Sequence, residues 1–526
     1  MYVFDFFKYK PEPNESFELT FAPDVCKTHI KNLDNEFVTE NIDHNFRIAS
    51  EILQTDINGD IIVRWFELNF SGTKERGFVI SVDGLANVSF VNDFLLEPLM
   101  DKELPVKSGF KDISVLINSV VPQRQVVYEK NIKKLADSVN FGNAAFFVNG
   151  FQNAVIIDVK TWEHRTVSSP VNETVVQGPH EAFNEVLRCN TALIRKSINN
   201  SNLIMETMVF GTESKTPASL AYINGVINNN LIREIKNKLE LIDAKYVLSV
   251  FDIEKKLEER PFLSMPQLIT TERPDKVSRA LIEGRAALIL NGSSHALIMP
   301  SNITDIIASP EDSYLRQPYA VFIKLIRILA VILSVLTPGL FLALTGFHSD
   351  AILTDMLLSL NSAARNVPFS PLTEVIIMEI AFELIKEASV RVPGAIGSSL
   401  GIVGGLILGQ SAVSAGVVSP IVIIIVSVCG IASFAIPSYS LSFSFRISRF
   451  MYIIAGALLG LIGILGVLAV HLELILSTKS FGVPSCVPFS PKTSKYPIFH
   501  ALFDSHYNVN PPEYMNSSTG GDSDES

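Results

Sequence analysis

Glu379, Glu383, Glu387 and Arg391 recur at four-residue spacing in the segment 374–391 (EVIIMEIAFELIKEASVR), which opens on a further carboxylate, Glu374. On a helix these side chains stack along one face, while Ile376, Ile377, Ile380, Ala381, Leu384 and Ile385 cover much of the rest. Carboxylates on such a helix have two uses. At membrane depth they are expensive, so they face a watery path or one another, and a ring of them favours cations. On a membrane surface the same helix would keep its acids in solvent. Glu374, Glu379, Glu383, Glu387 and Arg391 are therefore the candidate pore-lining residues, with Glu387 and Arg391 at the spacing of a helical ion pair.

The elements that must position this helix are apolar. The runs 328–347, 395–418, 421–436 and 451–470 are almost free of charge, and each is near the ~20 residues needed to cross a bilayer core. Pro338-Gly339 falls midway through the first and should bend it. Gly397, Gly401, Gly405 and Gly409 follow one another at four-residue spacing, and Gly456 and Gly460 repeat it in the last run. Small-residue ridges let helix backbones approach closely where lipid supplies no hydrophobic drive, so these glycines are the expected packing seams.

Composition separates this region from the rest. The chain has 526 residues, a mean hydropathy of +0.30 and 18% charged residues, with the apolar excess in one block. A net charge of -11 argues against a nucleic-acid surface. Cys26, Cys189, Cys429 and Cys486 form no CxxC pair, and no Walker, GxGxxG, GxSxG or HExxH motif occurs. Neither an enzyme, a cofactor nor a metal site is expected. The start, MYVFDFFKYKPEP, lacks the pattern of a signal peptide, so the polar domain is expected to stay cytoplasmic.

The polar half carries an internal duplication. Gly142–Gly150 followed by Ala154–Ile157 matches Gly284–Gly292 followed by Ala296–Met299, an offset of 142 residues, from 150 to 292. Upstream, Val79–Leu85 recurs as Leu220–Val226, an offset of 141, from 84 to 225. Asn149-Gly150 and Asn291-Gly292 predict hairpins closed by type I′ turns. The expected class is a cytoplasmic mixed α/β region of two similar subdomains, followed by an all-α multi-span membrane domain. The boundaries are an N-terminal extension (1–40), subdomain 1 (41–165), a connector (166–205), subdomain 2 (206–305), a membrane domain (306–476) and a polar tail, partly disordered (477–526).

Charge bears on topology. Arg316, Lys324 and Arg327 precede the first span and place the polar domain on the cytoplasmic side. Arg446 and Arg449 read as a short loop before the last span. That loop is cytoplasmic with five spans, if 374–391 crosses, and the tail is then external. With four spans the tail is cytoplasmic.

A series of stretches resembles one family: the A subunits of spore germination receptors, the GerA family. They include Asn149-Gly150-Phe151, Gly178-Pro179-His180-Glu181-Ala182-Phe183, Asn190-Thr191-Ala192-Leu193-Ile194-Arg195, Ser214-Lys215-Thr216, Thr271-Glu272-Arg273-Pro274-Asp275 and Leu281-Ile282-Glu283-Gly284-Arg285. Ser309-Pro310-Glu311-Asp312, Arg391-Val392-Pro393-Gly394, Gly401-Ile402-Val403-Gly404-Gly405 and Ser480-Phe481-Gly482-Val483-Pro484 continue the series. His180-Glu181-Ala182 departs from the usual Arg-Glu-Gly, and Ser485-Cys486 stands in place of an aromatic pair. The resemblance implies a receptor in the inner membrane of dormant spores, working with a transporter-like B subunit and a lipoprotein C subunit. It also implies A subunits that form a homo-oligomer in the lipid bilayer and release monovalent cations. A non-conducting scaffold that relays nutrient binding is the alternative.

Overall fold

In a computed structural model the chain is described at residues 35–70, 73–100, 113–114, 117, 121, 126–160, 170, 173–258, 266–364, 367–390, 395–486 and 489. The first sheet comprises β1 (Ile61–Phe70), β2 (Thr73–Val82), β3 (Val126–Glu129), β4 (Ala144–Val148) and β5 (Ala154–Ile157), in spatial order β1-β2-β4-β5-β3. The second comprises β6 (Leu203–Phe210), β7 (Thr216–Ile223), β8 (Ile269–Thr271), β9 (Ala286–Leu290) and β10 (Ala296–Met299), in the order β6-β7-β9-β10-β8. Strand for strand the two orders are the same. Register agrees as well, with Gly77 opposite Val148 and Ile80 opposite Ala145 in the first sheet, and Ala218 opposite Leu290 and Ala221 opposite Ala287 in the second.

The central strands AAFFV and AALIL are buried at every position, because each sheet is covered on both faces. Helices α1 (Ile42–Leu53) and α2 (Ile132–Asn140) cover one face of the first sheet. The helical stretch beginning at Val88 covers the other. On the second sheet, α3 (Leu187–Ser197) and α6 (Pro274–Ile282) take the first role, and α4 (Asn229–Glu240) and α5 (Val250–Leu257) the second. Helix α3, which the sequence puts in the connector, thus belongs to the second unit as α1 belongs to the first.

The Asn-Gly pairs do not close type I′ turns. Within each pair only the glycine has positive φ, 83° at Gly150 and 84° at Gly292. The asparagines bind a helix instead: Asn149 Oδ1 accepts from Ile42 N at 3.4 Å and Asn291 Oδ1 from Leu187 N at 3.1 Å. Gly150 N donates to Glu40 O and Gly292 N to Glu185 O, at 2.9 and 2.7 Å. Each hairpin loop is lengthened so that its polar groups satisfy the otherwise orphaned start of α1 or α3.

The apolar third folds as α7 (Gln317–Phe347), α8 (Thr354–Ala364), α9 (Pro371–Val390), α10 (Ala395–Ser414), α11 (Pro420–Phe434) and α12 (Tyr439–Leu476). Two sequence expectations change here. Arg446 and Arg449 lie within α12 and are buried, not in a loop, so they do not report topology. The last apolar run is also not one rod. Gly460, at φ 63° and ψ -144°, breaks α12, and Tyr452 Oη meets His471 Nδ1 at 3.2 Å although they are 19 positions apart. A straight helix would separate them by about 28 Å, so α12 is a hairpin of two arms.

The second arm returns to the polar domain. Ser301 N donates to Ser480 Oγ at 3.2 Å, Ile303 N donates to Ser485 O at 2.7 Å, and Phe481 is buried in the core of the second unit. Residues 479–486, expected in a polar tail, are a strap that pins the helical region to subdomain 2.

Candidate functional site

Helix α9 starts at Pro371, whose fixed φ suits a first helical turn, and its apolar positions pack between α10 and α11. Phe382 is the wedge. A Cβ at Gly405 of α10 would lie 3.2 Å from its ring, and one at Gly430 of α11 3.3 Å. Gly409 approaches Ile423 at 3.3 Å in the same sense. Gly405 and Gly409 thus serve packing within this chain. Gly397 and Gly401 lie in α10.

Gly456 of the first α12 arm sits against the backbone of Gly339 in α7, where a Cβ on either would strike main-chain atoms of the other helix. Gly460 meets Phe347 near the end of α7. Helix α7 and the first arm of α12 therefore run side by side in the same direction, and Pro338-Gly339 marks their crossing.

The carboxylates face α12 and α11. Glu374 is buried and accepts from Ser419 N at 2.7 Å, at the start of α11 where helix N–H groups lack internal partners. Arg449 Nη1 donates to Glu379 Oε2 at 2.6 Å, with the side chains 4% and 1% exposed. Arg446 Nε donates to Glu383 Oε1 at 2.8 Å and its Nη2 to Oε2, a bidentate pair. Lys386 Nζ donates to Ser433 Oγ at 2.9 Å and lies 4.8 Å from the Phe434 ring. Glu387 is exposed, and Arg391 lies outside the described residues.

The structure thus brings Glu379 and Glu383 together with Arg446 and Arg449, which sequence reasoning separated. Spacing of four on α9 meets spacing of three on α12 across an antiparallel contact, so the rungs align. The second rung is complete, but the first is not. Glu379 Oε1 and Arg449 Nε are buried with no hydrogen-bond partner among the described residues. Among the same residues no cluster of His, Cys, Asp and Glu could hold a metal ion. The described groups of the site are chiefly buried charges in ion pairs, an arrangement suited to binding and neutralising ions.

Residues 48–506 match the family model described as Bacillus/Clostridium GerA spore germination protein. The chain belongs to the GerA family. It is 35% identical to spore germination protein KA of Bacillus subtilis over 85% of this chain and 82% of that protein. It is 32% identical to spore germination protein GerLA of Bacillus cereus over 82% and 87%. The crystal structure of the N-terminal domain of the A subunit of the Bacillus megaterium spore germinant receptor GerK3 aligns with 50% of this chain and 96% of that one, with 23% identity and a TM-score of 0.40.

Several stretches that carry the GerA resemblance are joints in this fold. Asn190 folds back on Asn184 at 2.8 and 2.6 Å, as Asn45 does on Thr39 at the same two distances. Arg273 is buried and donates to the carbonyls of Glu173 and Pro179 at 3.2 and 2.9 Å. Asp312 accepts both Nη atoms of Arg327 at 2.5 and 2.8 Å, tying the entry to α7 onto the same helix about three turns in. The Ser480–Pro484 stretch is the strap.

Proposed function

We propose that this chain is the A subunit of a nutrient germinant receptor in the spore inner membrane, and that copies of it assemble into a germinant-gated channel for monovalent cations. The observation that carries the reading is the column of acids on α9 set inside an apolar helical region. Such a column at membrane depth has a use in ion passage and a cost otherwise. Membership of the GerA family, and relatives named for spore germination, support the setting. A transporter-like B subunit and a lipoprotein C subunit are the proposed partners.

The proposed topology is multi-pass, with the polar domain cytoplasmic. Helix α7 has 31 residues, an 18-residue stretch of which has a mean hydropathy of 2.4, so it is long and apolar enough to cross a bilayer, and Arg327 in its first half pairs with Asp312 just before the helix. The hairpin in α12 and the strap return the chain to the side on which α7 began. This favours a tail on the cytoplasmic side over the external tail of a five-span arrangement.

A non-conducting scaffold is favoured by one observation: Glu379 and Glu383 are already neutralised by arginines of the same chain. Purified full-length chain in liposomes separates the readings. Potassium flux supports the channel, whereas binding of the B subunit without flux supports the scaffold.

A further inference from the structure

Arg446 and Arg449 hold Glu383 and Glu379, two of the acids on which the channel reading depends. We infer that these two arginines are tethered counter-ions that close the path, competing with monovalent cations for Glu383 and Glu379. The inference rests on the channel reading above and names the regulation of that same site.

Three features of the geometry lead to it. The pairs span two helices, so they form or part as α9 and α12 shift, unlike an ion pair within one helix. Both arginines sit on the same arm as Gly456 and Gly460, and that arm is joined through the Gly460 break and the second arm to the strap on the polar domain. A displacement of the polar domain therefore has a covalent route to the two guanidinium groups. The rungs also differ in their hydrogen bonds. Glu383 is held at two points, whereas Glu379 is held at one and keeps a buried, unpartnered Oε1, as Arg449 keeps an unpartnered Nε.

That orphan pair points to a ligand. Nε–H can donate to a water oxygen and Oε1 can accept from the same water, so one water completes the closed rung. When Arg449 withdraws, the carboxylate and that water are the beginnings of a shell for a hydrated cation. In the closed arrangement the charges cancel and the segment is no more attractive to cations than its apolar neighbours. In the open one the acids stand alone, at a depth where their field is weakly screened.

The test is potassium flux from liposomes containing the full-length chain, measured without nutrient. Arg449→Gln should raise basal flux about tenfold or more, and Arg446→Gln should raise it too. Arg449→Lys, which keeps the charge, should stay near the unmodified level. Because Arg449→Gln leaves a buried carboxylate unpaired, Glu379→Gln/Arg449→Gln controls for folding and should bring flux back down. Flux from the unmodified chain that neither arginine substitution changes, with equal incorporation, would overturn the inference and leave the channel reading standing. No flux from any variant, including the neutral pair, would remove both.

Discussion

Arg195 and Asp60 meet in a buried bidentate pair that joins the two halves of the polar domain: Nε lies 2.5 Å from Oδ2 and Nη2 2.7 Å from Oδ1, with the side chains 1% and 0% exposed. Arg195 comes from α3, in the second unit, and Asp60 precedes β1 in the first. Arg195 also donates to Asn58 and Asn140 at 3.2 Å each, and Asn58 Oδ1 accepts from Met205 N at 2.7 Å. The two copies of one fold are thus joined by a contact to which each contributes a different residue.

Removing the arginine leaves Asp60 charged in a dry site. Arg195→Met should destabilise the full-length chain by about 3–5 kcal/mol, the usual cost of breaking a buried pair from one side. Asp60→Leu/Arg195→Met should cost less than the single change, since no lone charge remains. Thermal unfolding of the detergent-solubilised chain measures both, and a double variant weaker than the single would contradict the account.

Glu254 on α5 gives a pH dependence. Burial, with the nearby Glu258 charge adding to it, pushes its carboxyl up to about 7, against the opposing charges of Lys255 and His295. A carboxyl with a raised folded pKa holds its proton more tightly in the folded state. Its contribution to stability is therefore lost as pH rises from the ordinary value of 4.5 towards 7, and is flat above that. The cost is on the order of 3 kcal/mol. Glu254→Gln should raise the melting temperature at pH 8 and leave it nearly unchanged at pH 4.5. Equal gains at both pH values would show that ionisation is not the cause.

The α7–α12 crossing predicts a contrast between two glycines ten residues apart. A Cβ at Gly456 meets the Gly339 backbone, whereas one at Gly466 has no atom within 4 Å. Gly456→Ala should lower the yield of folded chain several-fold, and Gly466→Ala should leave it unchanged. Size-exclusion recovery in detergent reads the difference. Equal recovery would mean that α7 and α12 can part without loss.

Much of the polar domain was legible because duplication writes the same local signals twice. Two landmarks at nearly constant offset, each with its own glycine, identify equivalent loops whatever their turn type. The turn type was misread because Asn149 and Asn291 are tied to helices distant in sequence, which local propensity does not see. The break at Gly460 was hidden in the same way. A glycine in an apolar run reads as a packing seam, and contacts across the break, such as that between Tyr452 and His471, show the reversal. The acids of α9 were visible from spacing, but their partners lie about seventy positions away on α12. The one warning was that Arg446 and Arg449 share the spacing of a helix face, although they border an apolar run where a loop was the simpler reading.

The central claim is that the α9 acids serve cation passage. The most direct measurement is potassium release from spores carrying Glu379→Gln/Glu383→Gln/Glu387→Gln, taken beside receptor abundance. Glutamine keeps the size and hydrogen bonding of glutamate but removes the charge that draws cations. The account predicts release reduced several-fold or more at normal abundance. Normal release at normal abundance would contradict it, and the acids of α9 would then be supports of the helical region.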